Sequence, residues 1–207
     1  MNNYDLLKLF EDYEEAYAES PRAIIDLVER KKDLLHQIVE IDDVENFKKY
    51  MALVATYIKS VVNTGRYNRA IDEALFFLPV IEKNMIYLNL DPSQEHGYLT
   101  LCFQKAYAHY QLNDYTLALK HFKQLLKFSP DSDQLKAWVD YAWYGKFKGY
   151  LNAMLIVAAI LVISPIAFRS RLPPWSKLTM STIGIILVGV HTWFGYRLKK
   201  NRRRTNT

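Results

Sequence analysis

The side chains able to do chemistry are few and poorly spaced for it. Five histidines are present, His36, His96, His109, His121 and His191, and none falls in an HExxH pair or another spacing with a metal-site mechanism. His109 and His121 fall on neighbouring expected helices and can approach, which suits a packed or solvated pair better than a ligand set. Cys102 is the only cysteine, so no intrachain disulfide and no multi-cysteine metal site can form. Gly145-Lys146-Phe147-Lys148-Gly149 is basic and glycine-flanked but lacks the spacing and hydroxyl residue of a phosphate loop. No nucleophile, base and oxyanion donor can be nominated together. The expectation is a non-enzyme with no catalytic, cofactor or metal site.

Charge is divided sharply along the chain. All 22 acidic residues lie at or before Asp140, so residues 1–148 carry a net −4 and residues 149–207 a net +9. Those nine positive charges flank two long apolar runs, which favours a membrane over a nucleic-acid partner. Between Lys148 and Arg169 lie 20 residues without formal charge, and between Lys177 and Arg197 lie 19. At about 1.5 Å per helical residue each can cross a hydrocarbon core of roughly 30 Å. Transmembrane helices are therefore expected over 149–168 and 178–196, joined by a loop, 169–177, in which Pro173-Pro174 breaks the helix. Thr179, Ser181, Thr182, His191 and Thr192 dilute the second run. Tyr150, Trp175, Trp193 and Tyr196 fall where aromatic interface anchors belong.

The loop holds three basic residues, Arg169, Arg171 and Lys177. The flanks hold eight, Lys146 and Lys148 together with Arg197, Lys199, Lys200, Arg202, Arg203 and Arg204. That bias places both termini in the cytosol, with the plasma (inner) membrane favoured. The tail, 197–207, is expected to meet anionic lipid through Lys199, Lys200, Arg202, Arg203 and Arg204. The N-terminus lacks the basic-then-apolar pattern of a secretory signal.

The rest reads as helix nearly throughout, giving an all-α fold. Tyr4 to Glu19 carries a helical stripe at Leu6, Leu7, Phe10, Tyr13 and Tyr17. Ser20-Pro21 is a cap followed by proline at the first helical position, and Asp42 or Asp43 can cap the next long helix, ending near Thr64-Gly65. A helix from about Asn68 meets Pro79, which is expected to bend it. The carboxylates of the first helix, Glu11, Asp12, Glu14, Glu15 and Glu19, read as a solvated face. The 15 tyrosines recur at helical spacing and suit a core and groove, not a sheet for stacking nucleotides.

Internal repetition carries the most information. From Leu99 to Pro130, small Ala106 and Ala118, the turn Asn113-Asp114-Tyr115, Phe122 and a closing Pro130 follow one another at the intervals of a tetratricopeptide repeat, and the segment resembles that family. It departs from it at Cys102, Lys105 and His109. A poorer copy precedes it, with Thr64-Gly65-Arg66-Tyr67 at the turn, Ala70 at the crossing and Asn89-Leu90-Asp91-Pro92 at the close. Tyr67 to Pro92 spans 25 residues against 15 from Tyr115 to Pro130, so the first copy has a longer second helix or an insertion near Pro79. The expected organisation is a helical pair over 1–45, repeats over 46–130 and a capping helix over 131–148.

The resemblance implies a protein-binding concave face made by the first helix of each pair. Carried over by position it would present Thr100, Phe103, Tyr107, Tyr110 and Gln111, with Ala52, Ala55, Lys59, Val62 and Asn63 from the preceding copy. The leading expectation is a membrane-anchored adaptor that holds a cytosolic protein, or its own copies, at the bilayer. A second makes the transmembrane hairpin the working part of a transport, envelope-assembly or signalling complex, with Ser181, Thr182 and His191 as its polar groups. A third is a tail-anchored organelle adaptor. The plan resembles the mitochondrial fission adaptor family, which has a helical repeat bundle on a basic-tailed anchor but one span instead of two.

Overall fold

A computed structural model describes residues 3–167 and 173–205, with the side chains of 3–6, 194–195 and 197–205 outside that description. The described chain is all-α. It divides into two compact units, Met1–Asp131 and Ser132–Thr207.

The first unit contains α1 (Asn3–Glu19), α2 (Pro21–Arg30), the short α3 (Lys32–His36), α4 (Val44–Asn63), α5 (Tyr67–Tyr87), α6 (His96–Gln111) and α7 (Tyr115–Phe128). Their starts follow local chemistry. The Ser20 hydroxyl accepts the Ala23 N–H at 3.1 Å, with Pro21 beginning the helix, and the Asp43 carboxylate accepts the Asn46 N–H at 2.8 Å. The Asp114 carboxylate does the same for Leu117 at 3.3 Å. Each satisfies a donor that a helix N-terminus leaves unpaired.

Three helix ends share one closing device. Gly65, Asn89 and Asn113 follow the last turns of α4, α5 and α6 with φ of 76°, 53° and 62°. In each, the left-handed residue donates to the carbonyl three back, and the next residue donates five back: Arg66 to Val61, Leu90 to Met85, Asp114 to His109. This is the Schellman arrangement, which needs glycine or asparagine at the left-handed position.

The helices pack as three successive hairpins, α1/α2, α4/α5 and α6/α7. The first helix of each later hairpin lies against both long helices of the one before. Residues before 42 thus form a hairpin of the same kind. α4 touches α1, α2, α5 and α6 and buries side chains on nearly every face, including Phe47, Tyr50, Leu53, Val54, Tyr57, Ile58 and Val61. A helix apolar nearly all round is stable only when enclosed in this way. Gly97 lets α6 approach α4, since a Cβ there would lie 3.1 Å from Met51 Cβ. α5 continues through Pro79 to Tyr87, so the stretch after Tyr67 is one long helix with no insertion near Pro79.

Between α3 and α4, residues 38–43 have no regular structure, and the buried Asn84 of α5 bonds two of their backbone groups. Its carboxamide oxygen accepts from Ile41 N–H at 2.8 Å, and its NH2 donates to the carbonyls of Val39 at 3.0 Å and Val80 at 2.8 Å. An ionic network also joins α2 and α3 to α5. Lys32 meets the buried Glu73 at 2.7 Å, and Arg69 meets Glu29 at 2.8 Å. Arg69 also donates to the Tyr57 hydroxyl at 3.2 Å. Burial raises the pKa of that hydroxyl to about 12.

The second unit is a helical hairpin. α8 (Asp133–Ala167) is capped by the Ser132 hydroxyl, which accepts from Leu135 N–H at 3.3 Å, and runs 35 residues without a break. The helix thus runs unbroken across the expected boundary between a capping helix over 131–148 and a span over 149–168, passing through Gly145 and Gly149. α9 (Pro174–Thr205) packs along it. The six intervening residues reach about 20 Å at most, far less than either helix, so the two run antiparallel. They come closest at Gly184, where a Cβ would lie 2.7 Å from Val162 Cγ2 and 3.0 Å from the Ala158 carbonyl oxygen.

Among the described residues α8 is the one helix long and apolar enough to cross a membrane. Its Ile156, Ile160, Ile163 and Ile166 are 59–73% exposed, at the spacing of one helical face. α9 also exposes Ile183, Ile185 and Ile186 but carries the diluting polar residues noted above. Arg169 and Arg171 of the expected loop, and the side chains of the basic tail, lie outside the described residues.

Candidate protein-binding groove

A groove of about 590 Å³ runs between α1, α4 and α6. Its floor is small and apolar, formed by Met51, Ala52 and Ala55 of α4. One wall is aromatic, with Tyr13 and the exposed Tyr17 of α1 at 5.9 Å between centroids. The other is the first turn of α6, with His96, Gly97 and Thr100. Thr56 donates to the Ala52 carbonyl at 2.7 Å, so the Tyr13 hydroxyl, 3.0 Å from Thr56 Oγ1, is the donor of that pair. Burial is the main cause that raises the Tyr13 pKa.

Two lysines line the groove. Lys48 pairs with the buried Glu95 at 3.3 Å. Lys59 is exposed and has no carboxylate partner among the described residues. Alanines in the floor, the exposed Tyr17 ring and an open cation suit a peptide segment that seats a small apolar side chain and offers an acidic or carbonyl group to Lys59.

Of the residues placed on this face by sequence, the structure gathers Lys59, Thr100, Ala52 and Ala55 in the groove and disperses the rest. Asn63 is exposed at the end of α4 but outside the lining, and Val62 is buried. Phe103 lies 6.4 Å from Tyr107 and 5.7 Å from Phe122, and Tyr110 packs edge-on to Tyr115 at 5.5 Å. Phe103, Tyr107 and Tyr110, like Gln111, are half-buried outside the groove. Position within the repeat put these rings on an open face, whereas packing with neighbouring rings engages them. Tyr13 and Tyr17 were visible only as helix stripe residues, because nothing local shows that α1 lies beside α4.

No family model, curated protein or solved structure matches this chain. The functional reading therefore rests on its own geometry.

The imidazoles of His109 and His121 stack with centroids 5.5 Å apart, and His109 Nδ1 is 3.4 Å from Asp114 Oδ2. Burial lowers both pKa values; Lys105 adds to this in each case, while Asp114 opposes it at His109. With folded pKa values below the unfolded value of about 6.5, the contribution is complete above that pH and is lost as pH falls through it. The melting temperature should drop between pH 7.5 and 5, and His121→Gln should flatten that slope. An unchanged slope in the variant would remove His121 as a contributor.

Proposed function

We propose that this chain is a membrane-anchored adaptor of tetratricopeptide-like build, whose groove between α1, α4 and α6 holds a protein segment beside the bilayer. The observation that carries the reading is the combination of a self-enclosed stack of three hairpins with a separate hairpin whose isoleucines face outward. An apolar surface of that extent is stable in lipid and not in water. In this reading α8 supplies the first span and α9 a second. The basic bias holds both termini in the cytosol, and the tail lysines and arginines meet anionic lipid.

Two measurements test it. In a Cys102→Ser background, a cysteine at Ser170 should be labelled from outside intact cells and one at Thr205 should not; the reverse pattern overturns the topology. For the groove, Lys59→Glu combined with Thr100→Arg should lower capture of the partner at least tenfold, about 1.4 kcal/mol, with the melting curve unchanged. Normal capture by that variant, with function lost on changing Ser181 or His191, would transfer the activity to the membrane hairpin.

A further inference from the structure

A second cavity, about 450 Å³, lies between α5, α6 and α7 and shares no residue with the groove. Its lining is divided by polarity. Leu78 and Leu125 are buried along it, and the rings of Tyr98 and Phe128 meet edge to face at 6.3 Å. The polar lining consists of Lys105, Lys127, His121, Gln124, Cys102 and Glu82. Glu82 is the one acid there, and its Oε1 already accepts the Tyr98 hydroxyl at 3.1 Å.

The surrounding charge is one-sided. From His96 to Pro130 the sequence holds Lys105, Lys120, Lys123 and Lys127 against Asp114 alone. None of these lysines has a carboxylate partner among the described residues. Lys105 and His121 both line the cavity, and the Lys105 charge adds to the burial that lowers the His121 pKa. Two lysines against the one carboxylate of Glu82, already engaged by Tyr98, leave the lining with a positive excess. Such an apolar recess selects a ligand with an apolar body and an anionic end, and the volume lies within the range of small-ligand sites, about 300–1,000 Å³.

We propose that this cavity binds an amphipathic anion, an acyl chain bearing a carboxylate or phosphate. The chain lies against Leu78, Leu125 and Phe128, and the headgroup is met by Lys105 and Lys127. Such molecules come from lipid turnover at the bilayer or from the soluble acyl pool, and the two headgroups separate these sources. The adaptor would then respond to lipid chemistry through a site in its soluble unit, distinct from its contact with the membrane.

Cys102 provides the readout. It is the only thiol of the chain and lines the cavity, where burial raises its pKa to about 11. Alkylation of the full chain by iodoacetamide in a nonionic maltoside would be followed by mass spectrometry with decanoate, decyl phosphate, decanol or inorganic phosphate added. Decanoate, decyl phosphate or both should slow alkylation about tenfold at ten times the dissociation constant, and the more protective headgroup identifies the source. Protection should vanish in Lys105→Gln/Lys127→Gln and persist in Lys120→Gln/Lys123→Gln. Equal protection by decanol would reduce the cavity to a hydrophobic recess and overturn the proposal. Equal protection by inorganic phosphate would overturn it as well, as would an absence of protection by both decyl anions.

Discussion

Replacing Asn84 with leucine should destabilise the first unit by about 2 kcal/mol, lowering its melting temperature by roughly 8 °C. The side chain is fully buried and makes three hydrogen bonds, two of them to the Val39 carbonyl and the Ile41 N–H in the irregular segment before α4. Leucine fills the same volume yet leaves the buried Ile41 N–H without a partner, and the desolvation cost of that group is what the variant exposes; the carbonyl of the exposed Val39 can turn to water instead. Asn84→Asp keeps an acceptor for Ile41 but loses both donated bonds and buries a charge, so it should be no better. The neighbouring Lys83 pairs with Glu40 at 2.8 Å on the open surface, and Lys83→Met should leave the melting curve where it is. Thermal melts of residues 1–131 followed by circular dichroism decide the matter. An Asn84→Leu melt like that of Lys83→Met would show that the segment finds other partners.

Gly184→Leu should spread the α8/α9 hairpin. A single Cβ already falls 2.7 Å from Val162 Cγ2 and 3.0 Å from the Ala158 carbonyl. Carbon contacts settle near 3.5–4.0 Å, so roughly 1 Å must be found even for alanine. Val162 can turn away, but the carbonyl belongs to the backbone of α8 and cannot. Overpacking of this kind costs about 1–3 kcal/mol. Gly189, with nothing within 4 Å of its would-be Cβ, provides the contrast, and Gly189→Leu should be silent. Pulsed electron paramagnetic resonance between labels on the two helices should show a longer distance for the Gly184 variant alone. Identical distances in both variants would mean that the crossing is looser than its geometry.

What was legible in the sequence was whatever short-range chemistry controls. Ser20-Pro21, Asp43, Gly65 and Asp114 each mark a helix boundary through a bond made within five residues, and the structure places the ends there. Asn84 gave no such sign, because its partners at Val39 and Ile41 lie more than 40 residues away. The expected boundary between a capping helix and a span is no break either, since α8 runs through it with Gly145 and Gly149 inside the helix. Glycine inside a helix costs only about 1 kcal/mol, and the aromatic and apolar residues around these two carry the helix through. The groove was half legible. The family resemblance placed Lys59 and Thr100 on a face that includes this groove's lining but put Phe103, Tyr107 and Tyr110 there as well, since position along a sequence says nothing of what packs over a ring. The second cavity escaped notice because its lining is collected from three helices.

The unbroken course of α8 has a mechanical consequence. On the proposed arrangement its Asp133–Gly149 half leaves the bilayer as a stalk about 25 Å long, with no hinge where lipid gives way to water. Its bearing is then set within the hydrocarbon, by the isoleucines and by the seating of Gly184 on Ala158. A change of about 10° in the tilt of the buried half would swing the far end of the stalk sideways by about 4 Å, which is within the range of tilts that bilayer thickness alone imposes. Membrane thickness would thereby become a steering input to the cytosolic end of the helix.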